Sequence, residues 1–334
     1  MGVHMTRRKN RLLAGMLVMT VFLGGCSVGG KEVVFTSGVG SRDVFKIGEA
    51  SCDLVEAKVY LANYQNIYGK SYGIDLWEQE FQREKLEKYV KEIALSEMTK
   101  IACMDLLAKD REISLTKEEE QCVEEAATAY YDSLTDAEKS YTGASKADIL
   151  SMYEDYALAQ KVYHSLTDGV DEEVSDDEAR IMEAMQIYVK TQEKASEVSA
   201  KLEAGEDFAA VASNYNQKTA IEIVFGRGDL PEEVEKAAFE LDNGEISDRI
   251  PAEDGYYFIK CINKFNEELT NANKYNIVEE REKAAFDDVY EEFVSGLSSN
   301  LNEKVWNEIE LVTDGSITTD NFFEEIDAKI DEEI

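Results

Sequence analysis

Apolar positions recur at helical spacing through most of this chain. Leu54, Ala57, Leu61, Tyr64 and Tyr68 share one stripe, and Leu86, Val90, Ile93, Ile101, Met104 and Leu107 form a second. Thr116 with Glu119, Thr135 with Glu138 and Ser175 with Glu178 each set a hydroxyl three residues ahead of a carboxylate. At that spacing the two side chains satisfy each other's free amides at a helix start, so three helix N-termini are predicted. A further stripe, Val278, Ala285, Val289, Phe293 and Leu297, lies beyond residue 267. Two stretches read differently. Val33 to Ile47 alternates β-branched and aromatic residues around Ser37 to Arg42 and predicts an edge hairpin, and Ile309 to Val312 predicts a short apolar strand.

Between residues 176 and 266 the pattern changes to short elements punctuated by turns. Strands are expected at Met185–Val189, Ile221–Phe225 and Tyr256–Ile262, and helices at Gln192–Ala204, Asp207–Asn214 and Pro231–Leu241, in the order βααβαβ. Gly205 stops the first helix, Pro231 sits at a first helical turn, and Gly244 follows a helix end. Phe208, Ala212, Ala238, Phe239 and Ile259 are core candidates. Both prolines of the chain, Pro231 and Pro251, fall in this stretch, as a turn-rich insert in a helix-rich body would have them. The expected fold is therefore α+β. A mostly helical domain is built from residues 31–175 and 267–334, with a compact α/β module, 176–266, inserted between Gly169–Asp177 and the last helical stretch.

Charge narrows the function. The formal net charge is −35, and the four Lys and Arg of the first 25 positions, Arg7, Arg8, Lys9 and Arg11, precede an apolar run from Leu12 to Leu23. That arrangement predicts a signal peptide over residues 1–25, ending in a lipobox-like Leu23, Gly24, Gly25, Cys26, with Cys26 as the lipid attachment site and 26–30 as a tether. Acyl chains would then hold the body to a membrane by burial of roughly 0.8 kcal/mol per CH₂. The body is expected outside the bacterial cytoplasmic membrane, at its outer face. The remaining acidic excess is spread along helical faces, which excludes nucleic acid as a partner and leaves room for unfolded or newly secreted polypeptides. Acidic runs such as Asp171, Glu172 and Glu173 lack the alternating ligands and turn glycine of a calcium loop, so neither metal nor cofactor is expected. The cysteines Cys52, Cys103, Cys122 and Cys261 are too widely and irregularly spaced for a redox or zinc pair. Cys103 and Cys122 fall in apolar helical patterns as buried small hydrophobes, and one disulfide among the four is left open.

Several ordered motifs carry a family resemblance. KLEAGEDFAAVASNY (201–215), GRGDL (226–230), EKAAFEL (235–241), GEIS (244–247) and GYYFIK (255–260) follow one another as in parvulin-type peptidyl-prolyl isomerase domains. The layout of a helical body with such an insert, behind a lipoprotein address, resembles extracytoplasmic foldases of the PrsA and SurA kind. It is compatible with a homodimer. The resemblance implies rotation about Xaa-Pro bonds, whose barrier of roughly 18–20 kcal/mol comes from amide resonance and needs no nucleophile or cofactor to lower it. It also implies site residues. The two histidines of the family fall on Gln186 and Tyr257, the Met/Leu position on Leu230 and the Phe position on Val234. Phe225 joins Leu230 and Val234 as a substrate-binding candidate, and Glu222 is the nearest candidate for the Cys/Asp position, whose segment is shortened to Gln217–Val224.

Only Leu230 keeps the family's residue type, and the chain's two histidines, His4 and His164, lie outside the module. Gln186 and Tyr257 could donate and accept between themselves, either as a working substitute or as a mutually satisfied remnant. His164, near a helix end, reads as a capping or surface residue. Two functions stay open: a foldase that isomerises Xaa-Pro bonds, and a holdase chaperone whose module has lost that chemistry. A solute-binding lipoprotein would need two strand-rich lobes, and only one strand-rich module is present.

Overall fold

The computed structural model describes residues 42–330 and the short strand pair Ser27–Val28 with Lys31–Glu32. Cys26, the leader and much of the expected 33–47 hairpin lie outside the described residues. The described chain divides into two compact units, with boundaries at Asp168/Gly169 and Ala284/Ala285.

The helical unit begins with a hairpin of β1 (Asp43–Ile47) and β2 (Ala50–Asp53). Its turn is at Gly48, where φ is +55°. Asp53 ends β2 and caps α1 (Leu54–Gly69) by accepting from the amides of Val55 and Glu56. At the other end of α1, a Cβ on Gly69 would stand 2.1 Å from the indole nitrogen of Trp77, so only glycine lets the buried Trp77 ring close over the helix. Then come α2 (Glu80–Asp110), α3 (Lys117–Ser133), α4 (Asp136–Thr142) and α5 (Lys146–Thr167). Along α2, Val90, Ala94, Met98, Ile101, Met104 and Leu107 are buried at intervals of three and four, the predicted stripe. Capping boxes form at Thr116/Glu119 and Thr135/Glu138, and a third at Ser145/Asp148. Ser175/Glu178 makes the cap-like bond from the Glu178 amide to the Ser175 hydroxyl, but a turn follows it and no helix. His164 is exposed in the last turn of α5, where its carbonyl accepts from Asp168.

The sheet module contains β3 (Met182–Val189), α6 (Gln192–Glu203), α7 (Phe208–Tyr215), β4 (Glu222–Phe225), α8 (Glu232–Phe239), β5 (Ile250–Ala252) and β6 (Gly255–Asn263). The one element beyond the expected order is the short strand β5, formed where Pro251 follows Ile250. The strands make an antiparallel sheet in the order β4-β3-β6-β5. Alternation divides its side chains between two helical layers. Met182, Ala184, Tyr188, Tyr257, Ile259 and Cys261 pack with Val234, Ala238 and Phe239, the last three from α8. Ile187, Val189 and Phe258 pack on the other face with Ala195 and Val198 of α6 and Phe208, Val211 and Ala212 of α7.

The chain leaves the module through α9 (Glu267–Ser295). In its first turns Thr270 is fully buried and accepts from the Ile181 amide, while Asn273 donates to the Ala179 carbonyl. Its last turns belong to the helical unit and bury Phe286, Tyr290 and Val294, one residue along from the expected Ala285, Val289 and Phe293, which are half-buried. Phe286 and Tyr290 take the inner line ahead of the smaller Ala285 and Val289. β7 (Ser299–Leu301) then pairs with β1, completing a three-stranded sheet, and α10 (Glu303–Glu308) buries Trp306.

Residues 309–321 form no strand. The expected strand at Ile309–Val312 is replaced by a side-chain rung, in which the Gln65 amide donates to the Val312 carbonyl (2.8 Å) and accepts from the Val312 amide (3.1 Å). The chain then enters α11 (Phe322–Ile330), where Phe322 is fully buried among the rings of Tyr60, Tyr130 and Tyr153 at centroid distances of 5.3, 5.2 and 4.7 Å. Burying a ring of this size contributes on the order of 2–3 kcal/mol. Cys52, Cys103 and Cys261 are buried and Cys122 half-buried, and all four are free thiols.

Candidate active site

Apart from Glu222, the site positions named from the sequence lie on the α8 side of the module's sheet. Tyr257 stands opposite Tyr188, and Ile259 opposite Gln186, so Gln186 and Tyr257 are diagonal neighbours across β3 and β6. Both are buried, Gln186 at 5% exposure and Tyr257 at 0%. The expected hydrogen bond between them is not formed. Gln186 donates its side-chain amide to the Ala220 carbonyl (3.0 Å), and its main-chain amide donates to Ile221, which ties the 217–221 turn to β3. Tyr257 donates its hydroxyl to the Asp254 carboxylate (2.7 Å). The diagonal spacing leaves the two polar ends pointing to different edges of the sheet, each with a nearer partner.

Tyr257 is instead part of a cluster that the sequence did not reveal. The ring of Tyr188 lies 4.9 Å from that of Tyr257, and the Tyr188 hydroxyl donates to the main-chain carbonyl of Asp254. The Lys218 ammonium sits 5.0 Å from the Tyr188 ring centre and 4.9 Å from that of Tyr257, and 3.7 Å from the Asp254 carboxylate. Gly255 makes this packing feasible. Its φ is +152°, and a Cβ there would stand 2.6 Å from the Val189 carbonyl and 2.9 Å from the Tyr188 ring. Burial first, and the Asp254 carboxylate next, push the Tyr257 phenol well above its usual range, and the same two influences raise Tyr188. Both hydroxyls therefore stay protonated as donors at neutral pH. Tyr188 shares an alternation with Gln186, which was the available signal, but a tyrosine in a strand also satisfies an ordinary core pattern.

Among the apolar candidates, Val234 (0% exposed) and Phe225 (3%) are closed into the module's core, and Leu230 is half-buried at its edge. Phe225 meets Phe239 edge-on, and the guanidinium groups of Arg180 and Arg227 lie 4.3 and 4.2 Å from the Phe239 ring centre. The GRGDL turn is fixed by bonds from the Gly226 amide to Asp229 and from the Gly228 amide to Glu235. Glu222 is exposed on β4, opposite Met185, away from the tyrosine pair. Burial raises the Cys261 thiol, so it remains protonated beside Asn243. No cluster of metal-ligating side chains occurs among the described residues.

Comparison with known proteins places these elements in a class. The family model for the PPIC-type peptidyl-prolyl isomerase domain matches residues 168–272, so the sheet module is a parvulin-type domain. Over most of its length the chain is similar to foldase proteins of the PrsA kind. It is 27% identical over 318 residues to the foldase protein PrsA of Caldanaerobacter subterraneus subsp. tengcongensis, covering 86% of this chain and 94% of that protein. It is 23% identical over 297 residues to PrsA of Halalkalibacterium halodurans, covering 83% and 80%. A crystal structure of the peptidylprolyl isomerase PrsA from Bacillus cereus superposes with a TM-score of 0.37 at 25% identity, covering 79% of this chain and 99% of that one.

Proposed function

We propose that the protein is an extracytoplasmic foldase that holds unfolded polypeptides, anchored through Cys26 at the outer face of the bacterial cytoplasmic membrane, and that its parvulin-type module no longer isomerises Xaa-Pro bonds efficiently. The kinship to PrsA foldases supports the folding role, and the signal-like leader supports the address. The observation that carries the loss of catalysis is the Tyr257–Asp254 hydrogen bond. Isomerisation is accelerated only by groups that bind the twisted amide better than the planar one. In this module the hydroxyl of Tyr257 and the amide of Gln186 already have fixed partners, and Phe225 and Val234 lie within the core. Nothing polar at these positions is left to follow the rotating bond.

A protease-coupled assay on Xaa-Pro peptides, run beside suppression of aggregation of a reduced, unfolded protein, tests the reading. Suppression with a flat isomerisation trace is the expected outcome. Turnover that disappears in Leu230→Ala would instead make the module a working isomerase with Gln186 and Tyr257 in place of the histidines.

A further inference from the structure

The segment 309–322 is held in the helical unit in an unusual way. Eight of its main-chain groups bond to side chains of the body. Gln65 takes the amide and carbonyl of Val312, Asn66 the carbonyl of Thr319, Asn63 the amide of Phe322, Glu138 the amides of Thr318 and Thr319, Tyr141 the carbonyl of Glu310, and Tyr153 the carbonyl of Phe322. Among the described residues, no main-chain-to-main-chain bond joins 310–322 to α1–α5. Recognition through main-chain groups is blind to the sequence of what is recognised. Between the polar grips, the side chains of Ile309 and Ile317 are each 3% exposed, and Phe322 and Ile326 are wholly buried. The result is a groove that reads an extended backbone with apolar residues at intervals.

The resident segment fits this groove imperfectly. Asn63 is 0% exposed, yet its side-chain nitrogen finds no acceptor among the described residues, although its oxygen is taken by Phe322. A buried donor without a partner is a place where another occupant can bind better. Charge points the same way. Residues 309–334 carry nine Asp or Glu and one Lys in a chain whose net charge is already −35, so a neutral or basic segment would meet less repulsion.

We infer that this groove is the client-binding site of the helical unit, and that segment 309–322 is a resident stand-in for an extended, apolar, non-acidic stretch of an unfolded polypeptide, which displaces it. The inference rests on the holding function proposed above and gives it a place. The resident segment is covalently attached, with an effective concentration on the order of mM, so it yields only to clients with better side chains or charge. It keeps the tyrosine-lined groove covered when no client is present.

Hydrogen exchange on the full chain tests this directly. The probe is a synthetic peptide of residues 309–330 with its Asp and Glu replaced by Asn and Gln. On its addition, the amides of Val312, Thr318, Thr319 and Phe322 are expected to exchange at least tenfold faster, while those of α1 and α5 keep their protection. The same peptide with its acidic residues intact should need a higher concentration. Binding of the labelled probe, read by fluorescence anisotropy, should tighten at least tenfold in Phe322→Ala, which weakens the resident and leaves the groove whole. Circular dichroism verifies that this variant is folded, and if it is not, the exchange on the unaltered chain decides. Segment amides indifferent to the peptide, or opening only together with α5, overturn the inference. So do dimers formed by exchange of this segment between copies with no effect of peptide. Aggregation suppression that persists in either case leaves the holding function standing and removes only this site.

Discussion

The two units close their cores by opposite means. The sheet module is closed by its main chain: β3 and β6 pair over nearly their whole lengths, and side chains fall to either layer by alternation alone. The helical unit is closed by side chains of α1, α4 and α5 that grip the main chain of a segment some 170 to 260 residues distant. Ladder closure is local, cooperative and tolerant of side-chain exchange at exposed positions. Side-chain closure concentrates the job in a few amides and one carboxylate, so single substitutions there act on the whole unit. Each half is therefore vulnerable at a different kind of position.

The largest effect is expected at Glu138. It is 2% exposed and serves the Thr135 cap and the amides of Thr318 and Thr319 together. Burial pushes this carboxyl up, but bonds from Thr135, Thr318 and Thr319 outweigh it and hold it below the ordinary range. Glu138→Ala strands the amides of Thr135, Thr318 and Thr319, the last of them buried, and should cost about 3 kcal/mol in urea unfolding of the helical unit, with little change in the module. Because the folded carboxyl is the more acidic, its contribution is present above the ordinary pKa and lost as pH falls through the depressed one.

A ladder counterpart comes next. Gly255→Ala forces a Cβ against the Val189 carbonyl at a positive φ, and should cost about 2 kcal/mol in the module alone, with loss of the Tyr188 packing detectable in near-ultraviolet circular dichroism. Equal destabilisation of both units by either substitution would erase the contrast. Smaller again is Tyr257→Phe, which removes the bond to Asp254 at about 1 kcal/mol and should leave Xaa-Pro turnover unchanged.

The smallest effect is one of pH. Burial first, then the neighbouring Asp155 and Asp53 carboxylates, push Glu56 of α1 up to about 8, and burial with Asp105 raises Asp155 of α5 to about 7. A carboxyl raised on folding stabilises fully below its unfolded value, and that stability is lost as pH rises through the folded one. The helical unit should therefore melt a few degrees lower at pH 8.5 than at pH 5.5, and Glu56→Gln should flatten the slope. A module that shows the same slope would argue against assigning it to this pair of helices.

The same contrast governs what was legible in the sequence. The runs Met185–Val189 and Tyr256–Ile262 exposed most of β3, which starts three residues earlier at Met182, and most of β6, and hydroxyl-to-carboxylate spacing exposed the starts of α3 and α4, because each signal is local. Ser145/Asp148 went unread since its acid is Asp, and Ser175/Glu178 promised a helix that the turn after it does not continue. Ile309–Val312 looked like a strand because its apolar run is real, but its partner is the Gln65 amide, which no pattern near residue 309 announces. At the candidate site, the absence of histidine was plain. The Asp254–Tyr257 bond and the Lys218 contact were not, since they depend on the turn before β6 and on a diagonal register.

Trp77 closes over Gly69 and Trp306 is buried in α10, and these two are the only tryptophans of the chain. Both belong to the helical unit. Intrinsic indole emission is therefore a one-sided optical label: excited at long wavelength, the molecule is silent about its parvulin-type domain. One indole packs against the gripping helix, donating to the Gln65 carbonyl, and the other lies just ahead of the gripped segment, so a blue-to-red drift of emission under titration would time the opening of that half without any added dye.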